Sequence, residues 1–460
     1  MPTWAINFIY LLSSCLFIFG LKLLSHIKKA RQGNFLAALG MLLAIAVTLF
    51  DRQILSYEWI AAGVILGTLI GAFLSYTIQM TAMPQMVALF NGFGGLASAL
   101  VAWAELSKSS GHVESFVLTA IFLGTFVGAV TFTGSLIAFG KLQGICPQQP
   151  VVYPLQKTGN LILTVLILAA GYFLFQDPAD GIPYWAVIGI SSLLGILLVL
   201  PIGGADMPVV ISLLNSYSGV AAAMTGFVLM NQMLIVAGSL VGAAGLILTQ
   251  IMCRAMNRSL ANVAFGTFGK IEKGAQGKAK DQYQGVKSCT SEEAALMLEN
   301  AGLVIIVPGY GLAVSRAQHA VQELAKWLES KGVKVKYAIH PVAGRMPGHM
   351  NVLLAEADVP YDQLFEMDQI NPEFEQADVV LVIGANDVVN PAARNEPGSP
   401  IYGMPILNVD KARSVIVIKR SLSPGFAGVK NPLFENEKTL LLFQDAKAAV
   451  EQILKNLKEA

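Results

Sequence analysis

The chain has 460 residues, of which 54% are hydrophobic and only 13% are charged, about half the charged fraction of a typical soluble domain. Its net charge of +1 and the lack of a basic, aromatic-rich patch exclude nucleic-acid binding. The 4 cysteines have neither paired nor CxxC spacing, so we expect neither a disulfide framework nor a zinc site.

Residues 1–258 are predicted to form a polytopic α-helical membrane domain. A membrane span needs about 20 mainly apolar residues, and nine such stretches follow one another here. No basic residue precedes the first stretch, so a cleavable signal peptide is not expected. The predicted spans are 4–24, 34–50, 57–76, 83–104, 115–140, 160–176, 183–202, 208–229 and 231–253.

Positive charges are distributed unevenly between the connections of these spans. With the N-terminus outside, the inner segments carry most of the Lys and Arg residues. This bias follows the positive-inside rule, and an odd number of spans then places the C-terminal domain in the cytoplasm. The inner residues are Lys28, Lys29, Arg31, Lys141, Lys157, Arg254 and Arg258, and the outer ones are Arg52 and Lys108.

An internal repeat relates two parts of the membrane domain. The match extends beyond the repeated strings to Gly95, which corresponds to Gly219. Four spans separate the two copies, so both run in the same direction, and duplicated bundles commonly place a translocation path where repeats meet. The repeated strings are 83–91 with 207–215 and 124–129 with 238–243.

Each copy carries one asparagine, Asn91 or Asn215, about two turns into its span. An amide in hydrocarbon needs hydrogen-bond partners, so the pair either ties helices together or lines a proton path, and we favour the path. No His, Asp or Glu falls in the middle of a predicted span, and Asp206 lies at the cytoplasmic edge. The proton path is therefore predicted to use Asn91, Asn215 and Asp206, and a partner subunit to supply the titrating group.

The remaining chain is predicted to be a linker followed by a soluble domain. Residues 259–289 lose apolar periodicity and gain Gly, Lys and Gln, which predicts a flexible linker. Residues 290–460 alternate strands and helices, which predicts a Rossmann-like α/β domain with a doubly wound parallel sheet. Its predicted strands are 303–307, 333–339, 378–383, 406–409, 415–418 and 439–443. Its predicted helices are 291–300, introduced by a capping box, 312–330, 349–357 and 445–458.

Five polar segments stand where predicted strands end. Ligands of parallel sheets bind at the carboxyl ends of strands, so one nucleotide site explains all five. The first has the pattern Gly309-x-Gly311-x-x-Val314, a dinucleotide fingerprint with Val in the third glycine position. It follows a strand and opens a helix as phosphate binding requires, and a plain tight turn is the alternative. The segments are 309–311, 340–345, 384–387, 419–421 and 445–447.

The preferred nucleotide follows from the charges at two of these strand ends. NAD-selective sites place an acid after the second strand, where this chain has His340 and no carboxylate nearby. Lys419, Arg420 and Ser421 instead suit a 2′-phosphate, unless they are only a solvated strand end. NADP(H) is therefore the predicted cofactor. Asp387 and His340 are the predicted catalytic residues, with a capping or exposed histidine as the alternative for His340.

Several motifs together resemble the beta subunit of bacterial proton-translocating NAD(P) transhydrogenase, over essentially the whole chain. The motifs are 309–314, 340–356, 384–387, 419–421 and the membrane strings 203–208 and 255–259. The resemblance implies that this chain binds NADP(H) and exchanges hydride with NAD(H) held by a separate alpha subunit. It also implies coupling to proton movement across the bacterial inner membrane, and a second copy of the chain in a dimeric complex.

The resemblance also implies roles for individual residues. Residues 309–314 would cradle the pyrophosphate, 419–421 would hold the 2′-phosphate and Asp387 would lie near the nicotinamide ribose. The loop 420–432 would fold over the nucleotide as a lid. The expected cofactor-binding set is Gly309, Tyr310, Gly311, Ala313, Val314, Val342, Ala343, Gly344, Arg345, Met346, Pro347, Gly384, Ala385, Asn386, Asp387, Lys419, Arg420, Ser421, Gly425, Phe426, Asp445 and Ala446.

Two positions depart from the family pattern. Many family members carry a channel histidine where this chain has Asn91, so the titrating group is expected on the partner's helices. The lid of the family usually reads Gly-Tyr-Ala. Here it reads Gly425-Phe426-Ala427, which keeps the ring but loses a hydroxyl donor.

Neither a metal, a flavin nor a nucleophile is expected. Direct hydride transfer needs only two nicotinamides in near contact with water excluded. The chain has one nucleotide fingerprint, so catalysis requires a second nucleotide-binding protein. One alternative is a nucleotide-gated secondary transporter, which predicts solute flux without a hydride acceptor. The other is a membrane NADPH dehydrogenase that reduces quinone, which should show a flavin or iron–sulfur site.

Overall fold

A computed structural model describes the chain at residues 3–24, 29–51, 57–109, 113–147, 150–256, 283–346, 348–399, 401–425 and 427–459. The chain divides into two compact units. The first consists of Met1–Cys146, Val152–Leu200 and Leu213–Ile247, and the second of Pro147–Val151, Pro201–Ser212 and Leu248–Ala460.

In the part of the chain that the structure describes, nine helices are long and apolar enough to cross a membrane, as predicted. The shortest has 19 residues, which at about 1.5 Å per residue spans the hydrocarbon layer. The fifth helix continues to Gln143, because Gly144 has a φ of 78° and forms a left-handed C-cap. The helices are α1 (Thr3–Leu24), α2 (Ala30–Asp51), α3 (Glu58–Thr77), α4 (Met83–Lys108), α5 (Ser115–Gln143), α6 (Gln156–Gln176), α7 (Gly181–Val199), α8 (Met207–Val228) and α9 (Gln232–Ala255).

The two copies of the internal repeat form helix pairs with the same close crossing. Between α4 and α5, a Cβ added at Gly95 would lie 2.5 Å from the carbonyl oxygen of Gly128. Between α8 and α9, a Cβ added at Gly219 would lie 2.3 Å from the amide nitrogen of Gly242. Only glycine lets two helix backbones approach this closely. Both pairs of glycines correspond in the repeated strings, so the structure confirms the internal duplication.

The last part of the chain forms the predicted α/β domain around a seven-stranded, wholly parallel sheet. The strands are β1 (Lys287–Ser288), β2 (Leu303–Pro308), β3 (Lys334–Ile339), β4 (Leu364–Glu366), β5 (Val379–Ile383), β6 (Ser414–Lys419) and β7 (Thr439–Phe443). Their order across the sheet is β1-β7-β6-β5-β2-β3-β4. All of β5 and most of β2 and β6 are buried, as expected for a parallel sheet with helices on both faces.

The helices of this domain follow the predicted alternation with one interruption. The capping box is present, because Thr290 Oγ1 accepts a hydrogen bond from the Glu293 N–H and Glu293 Oε2 accepts one from the Thr290 N–H. The predicted helix 312–330 is two helices, because Arg316 adopts a left-handed φ of 53°. The helices are α10 (Ser291–Glu299), α11 (Tyr310–Ser315), α12 (Gln318–Ser330), α13 (His349–Glu356), α14 (Met367–Ile370), α15 (Ala392–Asn395) and α16 (Ala446–Glu459).

Three expectations need correction. The predicted strand 406–409 is not a strand, because the backbone of Leu407 and Asn408 bonds to Val388 and Asn371 instead of to a neighbouring strand. Strand β4 was not predicted. Strand β1 lies inside the predicted linker 259–289, so the sheet domain begins before residue 290. The linker residues 259–282 lie outside the described chain.

Candidate nucleotide-binding site

The candidate site lies at the carboxyl edge of the sheet. Because all strands are parallel, the segments that follow β2, β3, β5, β6 and β7 share this edge, and these are the five predicted polar segments. The strand order reverses between β2 and β5: β3 and β4 lie on one side, and β6 and β7 on the other. Open α/β sheets bind ligands in the crevice at such a reversal.

Three glycines bring the two loops of this crevice into backbone contact. A Cβ added at Gly309 would lie 2.4 Å from Ala385 Cα, and one at Gly311 would lie 2.7 Å from Gly384 Cα. The Gly309 and Gly311 N–H groups donate to the carbonyls of Ile383 and Gly384, each at 2.9 Å. Gly384 itself has a left-handed φ of 66°. The fingerprint glycines therefore build the floor of the crevice.

The remaining fingerprint residues have different surroundings. Ala313 is fully buried, whereas Val314, in the third glycine position of the fingerprint, is exposed on the short helix α11. No close packing of α11 against the sheet is needed at an exposed position, so the missing third glycine has no steric consequence here.

Asp387, the predicted catalytic carboxylate, is covered by the loop 420–432. Its Oδ2 accepts a hydrogen bond from the Ala427 N–H at 2.9 Å. Gly425 packs against the same carboxylate, since an added Cβ would lie 2.4 Å from Asp387 Oδ1. Phe426, between these two contacts, lies outside the described residues. The structure thus brings the predicted lid and the predicted catalytic residue together.

Buried amides fix the end of this loop to the segment after β5. Asn431 is fully buried, and its Nδ2 donates to the backbone oxygen and Oδ1 of Asn386 at 3.1 and 3.0 Å. Asn390, also fully buried, donates from Nδ2 to the carbonyl of Lys430 at 3.1 Å. The base of the lid is therefore joined to the crevice.

The predicted 2′-phosphate residues at the end of β6 differ in exposure. Lys419 is half-buried: its Nζ donates to the Ser423 carbonyl at 2.8 Å and lies 4.6 Å from the Phe434 ring centroid. Burial lowers the pKa of Lys419 to about 8, against the opposing effect of the Asp387 charge. Arg420 and Ser421 are exposed beside it. A ligand at this strand end would meet Arg420 and Ser421 directly.

His340, the second predicted catalytic residue, is buried with both ring nitrogens engaged. Its Nε2 lies 2.9 Å from the Pro405 carbonyl, and its Nδ1 accepts from the Val342 N–H at 3.3 Å. Burial lowers the pKa of His340 to about 4, so the ring is neutral at neutral pH. This geometry favours a structural role, in which His340 holds the turn after β3, over a role in proton transfer.

Arg345 is held by two aromatic side chains, one of which was not predicted. Its guanidinium lies 4.4 Å from the Tyr310 ring centroid, and its backbone N–H donates to His349 Nδ1 at 3.0 Å. Gly344 has a φ of 105°, and a Cβ there would lie 2.5 Å from His349 Nδ1. Burial, and secondly the charge of Arg345, lowers the pKa of His349 to about 4. In the sequence, His349 could have been found from its place within the motif 340–356.

The other predicted residues are distributed along the same edge. Ala343, Met346 and Ala385 are buried, and Val342 is half-buried. Asp445 is exposed and precedes the buried Ala446, which begins α16 after β7. Pro347 lies outside the described residues.

In the membrane part, the predicted path residues lie at two kinds of position. Asn91 is buried in α4, and Asn215 is half-buried in α8, each four residues before the crossing glycine of its repeat. Asp206 is 9% exposed and lies in the 3-10 turn that precedes α8. Among the described residues, no group of three or more His, Cys, Asp or Glu side chains is placed to hold a metal.

Fold and site together define a polytopic membrane protein that carries a Rossmann-like domain. The model of the family described as NAD(P) transhydrogenase beta subunit matches residues 6–456. Two curated relatives, from Rhodospirillum rubrum and from a strain of that species, are each named NAD(P) transhydrogenase subunit beta. Each is 50% identical over 455 residues, 97% of this chain and 97% of the relative. The chain belongs to the NAD(P) transhydrogenase beta-subunit family, and a beta subunit implies an alpha-subunit partner.

Proposed function

We propose that this chain binds NADP(H) in the crevice between β2 and β5 and exchanges hydride with NAD(H) held by the alpha subunit, coupled to proton movement across the membrane. The observation that carries the proposal is the glycine floor at the strand reversal, with Asp387 covered by the loop 420–432. The junction lies at the strand reversal, where open parallel sheets bind their ligands, and the proposal places the pyrophosphate there.

The charges at the strand ends support NADP(H) over NAD(H). The segment after β3 begins with the buried, neutral His340 and not with a carboxylate that would hold ribose hydroxyls. The end of β6 offers the exposed Arg420 and Ser421 beside Lys419. A guanidinium binds phosphate through paired, charge-assisted hydrogen bonds, so Arg420 is the proposed main contact of the 2′-phosphate.

The chain's residues would position the reaction. NADP(H), when bound, supplies the nicotinamide that gives or accepts the hydride. Arg345, held over Tyr310, would supply positive charge to the pyrophosphate, and His340 fixes the turn that carries Arg345. Asp387 holds the lid at Ala427, and a lid closed over the nucleotide would exclude water, which hydride transfer requires.

The proton path is proposed to follow the two repeat copies. Asn91 and Asn215 occupy equivalent positions before the glycine crossings, and Asp206 lies where α8 begins. The middle of the nine described spans carries no Asp, Glu or His. The titrating group is therefore assigned to the helices of the alpha subunit.

The assembly and location complete the proposal. The protein would lie in a bacterial inner membrane with its sheet domain in the cytoplasm, supported by the charge bias of the loops. Two copies of the chain with their alpha subunits would form the complex. The bias is carried in the described chain by Lys141, Lys157 and Arg254.

Titration of the purified complex with NADP+ and NAD+ tests the nucleotide assignment. NADP+ should bind more tightly, and Arg420→Ala should weaken NADP+ binding by about 1.5–3 kcal/mol while leaving NAD+ unchanged. Arg413→Ala is the matched control, because this exposed arginine lies at the opposite end of β6 and pairs with Asp378. Equal affinity for both nucleotides, or an unchanged Arg420→Ala titration, would refute the 2′-phosphate assignment.

A further inference from the structure

Residues 283 and 284, the first described after residue 256, contact the base of the lid. The Tyr283 hydroxyl accepts a hydrogen bond from the Asn431 N–H at 3.1 Å. Lys430 Nζ lies 5.2 Å from the Tyr283 ring centroid, and the Phe434 ring lies 5.8 Å from it. One side chain therefore contacts three residues of the segment 430–434.

A second set of contacts reinforces the first. The backbone N–H of Gln284 donates to Glu435 Oε1 at 2.6 Å, and the same carboxylate pairs with Lys430 Nζ at 2.9 Å. Burial raises the pKa of Tyr283, so its hydroxyl is neutral at the pH of the cell. We call this group of residues, Tyr283, Gln284, Lys430, Asn431 and Glu435, the clasp.

The clasp reaches the segment after β5 through Asn431, beside the bond that Asn390 donates to the Lys430 carbonyl. Asn431 joins Tyr283 by its backbone and Asn386 by its side chain. Asn386 directly precedes Asp387, which holds the lid at Ala427. A movement of the segment at Tyr283 therefore changes the support of the lid two contacts away.

We infer that Tyr283 is a positioning residue of the nucleotide site, which holds the base of the lid through Asn431. This inference rests on the proposed function. The coupling is reciprocal: a lid closed on the nucleotide stabilises the contacts of Tyr283, and loss of these contacts favours an open lid.

The test uses the complete complex and measures the rate of NADPH release. Tyr283→Phe removes only the bond from Asn431, and one net hydrogen bond corresponds to about a 2- to 12-fold change. We expect NADPH release to accelerate by that factor. Tyr283→Leu, which also removes the ring contacts, should have a larger effect. Tyr361→Phe, a half-buried tyrosine near β4, is the control.

Strand-amide hydrogen exchange in the same samples separates positioning from packing. Unchanged exchange in β2 and β5 with faster release supports the inference. Unchanged NADPH release in both Tyr283 variants overturns it, and so does release that changes only in step with strand exchange. If instead the wild-type complex transfers no hydride between NADH and NADP+, the proposed function fails, whatever the variants do.

Discussion

Gly384→Ala should disrupt the crevice far more than an alanine at an open glycine. Gly384 has a φ of 66°, and an added Cβ would lie 2.4 Å from Gly311 Cα and 2.6 Å from the Leu312 amide nitrogen. Both neighbours are backbone atoms that hold the fingerprint loop, so the loop itself must move. Gly332→Ala is the matched control, because Gly332 has a φ of 89° with nothing within 4 Å of an added Cβ.

Both variants place an alanine in the left-handed backbone region, which costs about 1–2 kcal/mol in each. Gly384→Ala adds overpacking against the loop, about 1–3 kcal/mol. Hydrogen exchange of the β2 and β5 amides in the full-length protein would measure this difference as lost protection. NADP+ affinity should fall in Gly384→Ala and remain unchanged in Gly332→Ala. Equal loss of protection in the two variants would refute the backbone junction as the reason for glycine.

Three further outcomes are expected. NADP+ affinity should fall above pH 8 by up to about tenfold per pH unit as Lys419 loses its proton, and Lys419→Arg should flatten this decline in a titration series. His340 and His349 are neutral in the folded domain but take up protons near pH 6.5 when unfolded, so the free energy of unfolding should rise between pH 4 and 6.5. The rise is at most about 3 kcal/mol per histidine. In urea unfolding, each His→Gln variant should lose the part of this rise that its histidine contributes. Asn91→Leu and Asn215→Leu should each slow proton-driven hydride transfer by more than about tenfold and leave NADP+ binding unchanged. Unaltered proton flux would mean that the two asparagines only hold helices together.

The membrane helices were predictable because their signal is local. Hydrocarbon requires an uninterrupted apolar stretch of fixed length, and each predicted span corresponds to one helix of the described chain. The repeat was equally visible in the sequence, but the helix crossing at Gly95 and Gly128 was not. The role of such a glycine depends on the backbone that it approaches, and that backbone lies on another helix.

The sheet was predictable where strands are long and buried, and not where contacts are distant. Residues 406–409 have the apolar pattern of a strand, yet Asn371 and Val388 take their backbone hydrogen bonds. Strands β1 and β4 have only two and three residues, too few for a pattern. Their register comes from pairing with β7 and β3.

The meeting of the five polar segments at one edge of the sheet was predictable, whereas the contacts among them were not. Parallel strands all end at one edge, so the segments that follow them lie there. Tyr283 was missed because it lies in a segment whose composition indicates a linker. Lys141 was counted as a charge at the inner end of a span, but it is buried and donates to the Leu200 carbonyl at 2.6 Å. A cation stabilises the last carbonyls of a helix, but the residues around Lys141 do not indicate which helix end its side chain reaches.

The coupling of hydride exchange to proton movement can be measured in sealed vesicles. The complex of this chain with its alpha subunit is sealed into vesicles, and NADP+ reduction by NADH is followed while a pH difference is imposed across the membrane. We expect the rate to rise when protons flow toward the side of the sheet domain, and to fall back when an uncoupler removes the pH difference. A rate that is indifferent to the imposed gradient, with NADP+ bound and hydride still exchanged, would contradict it.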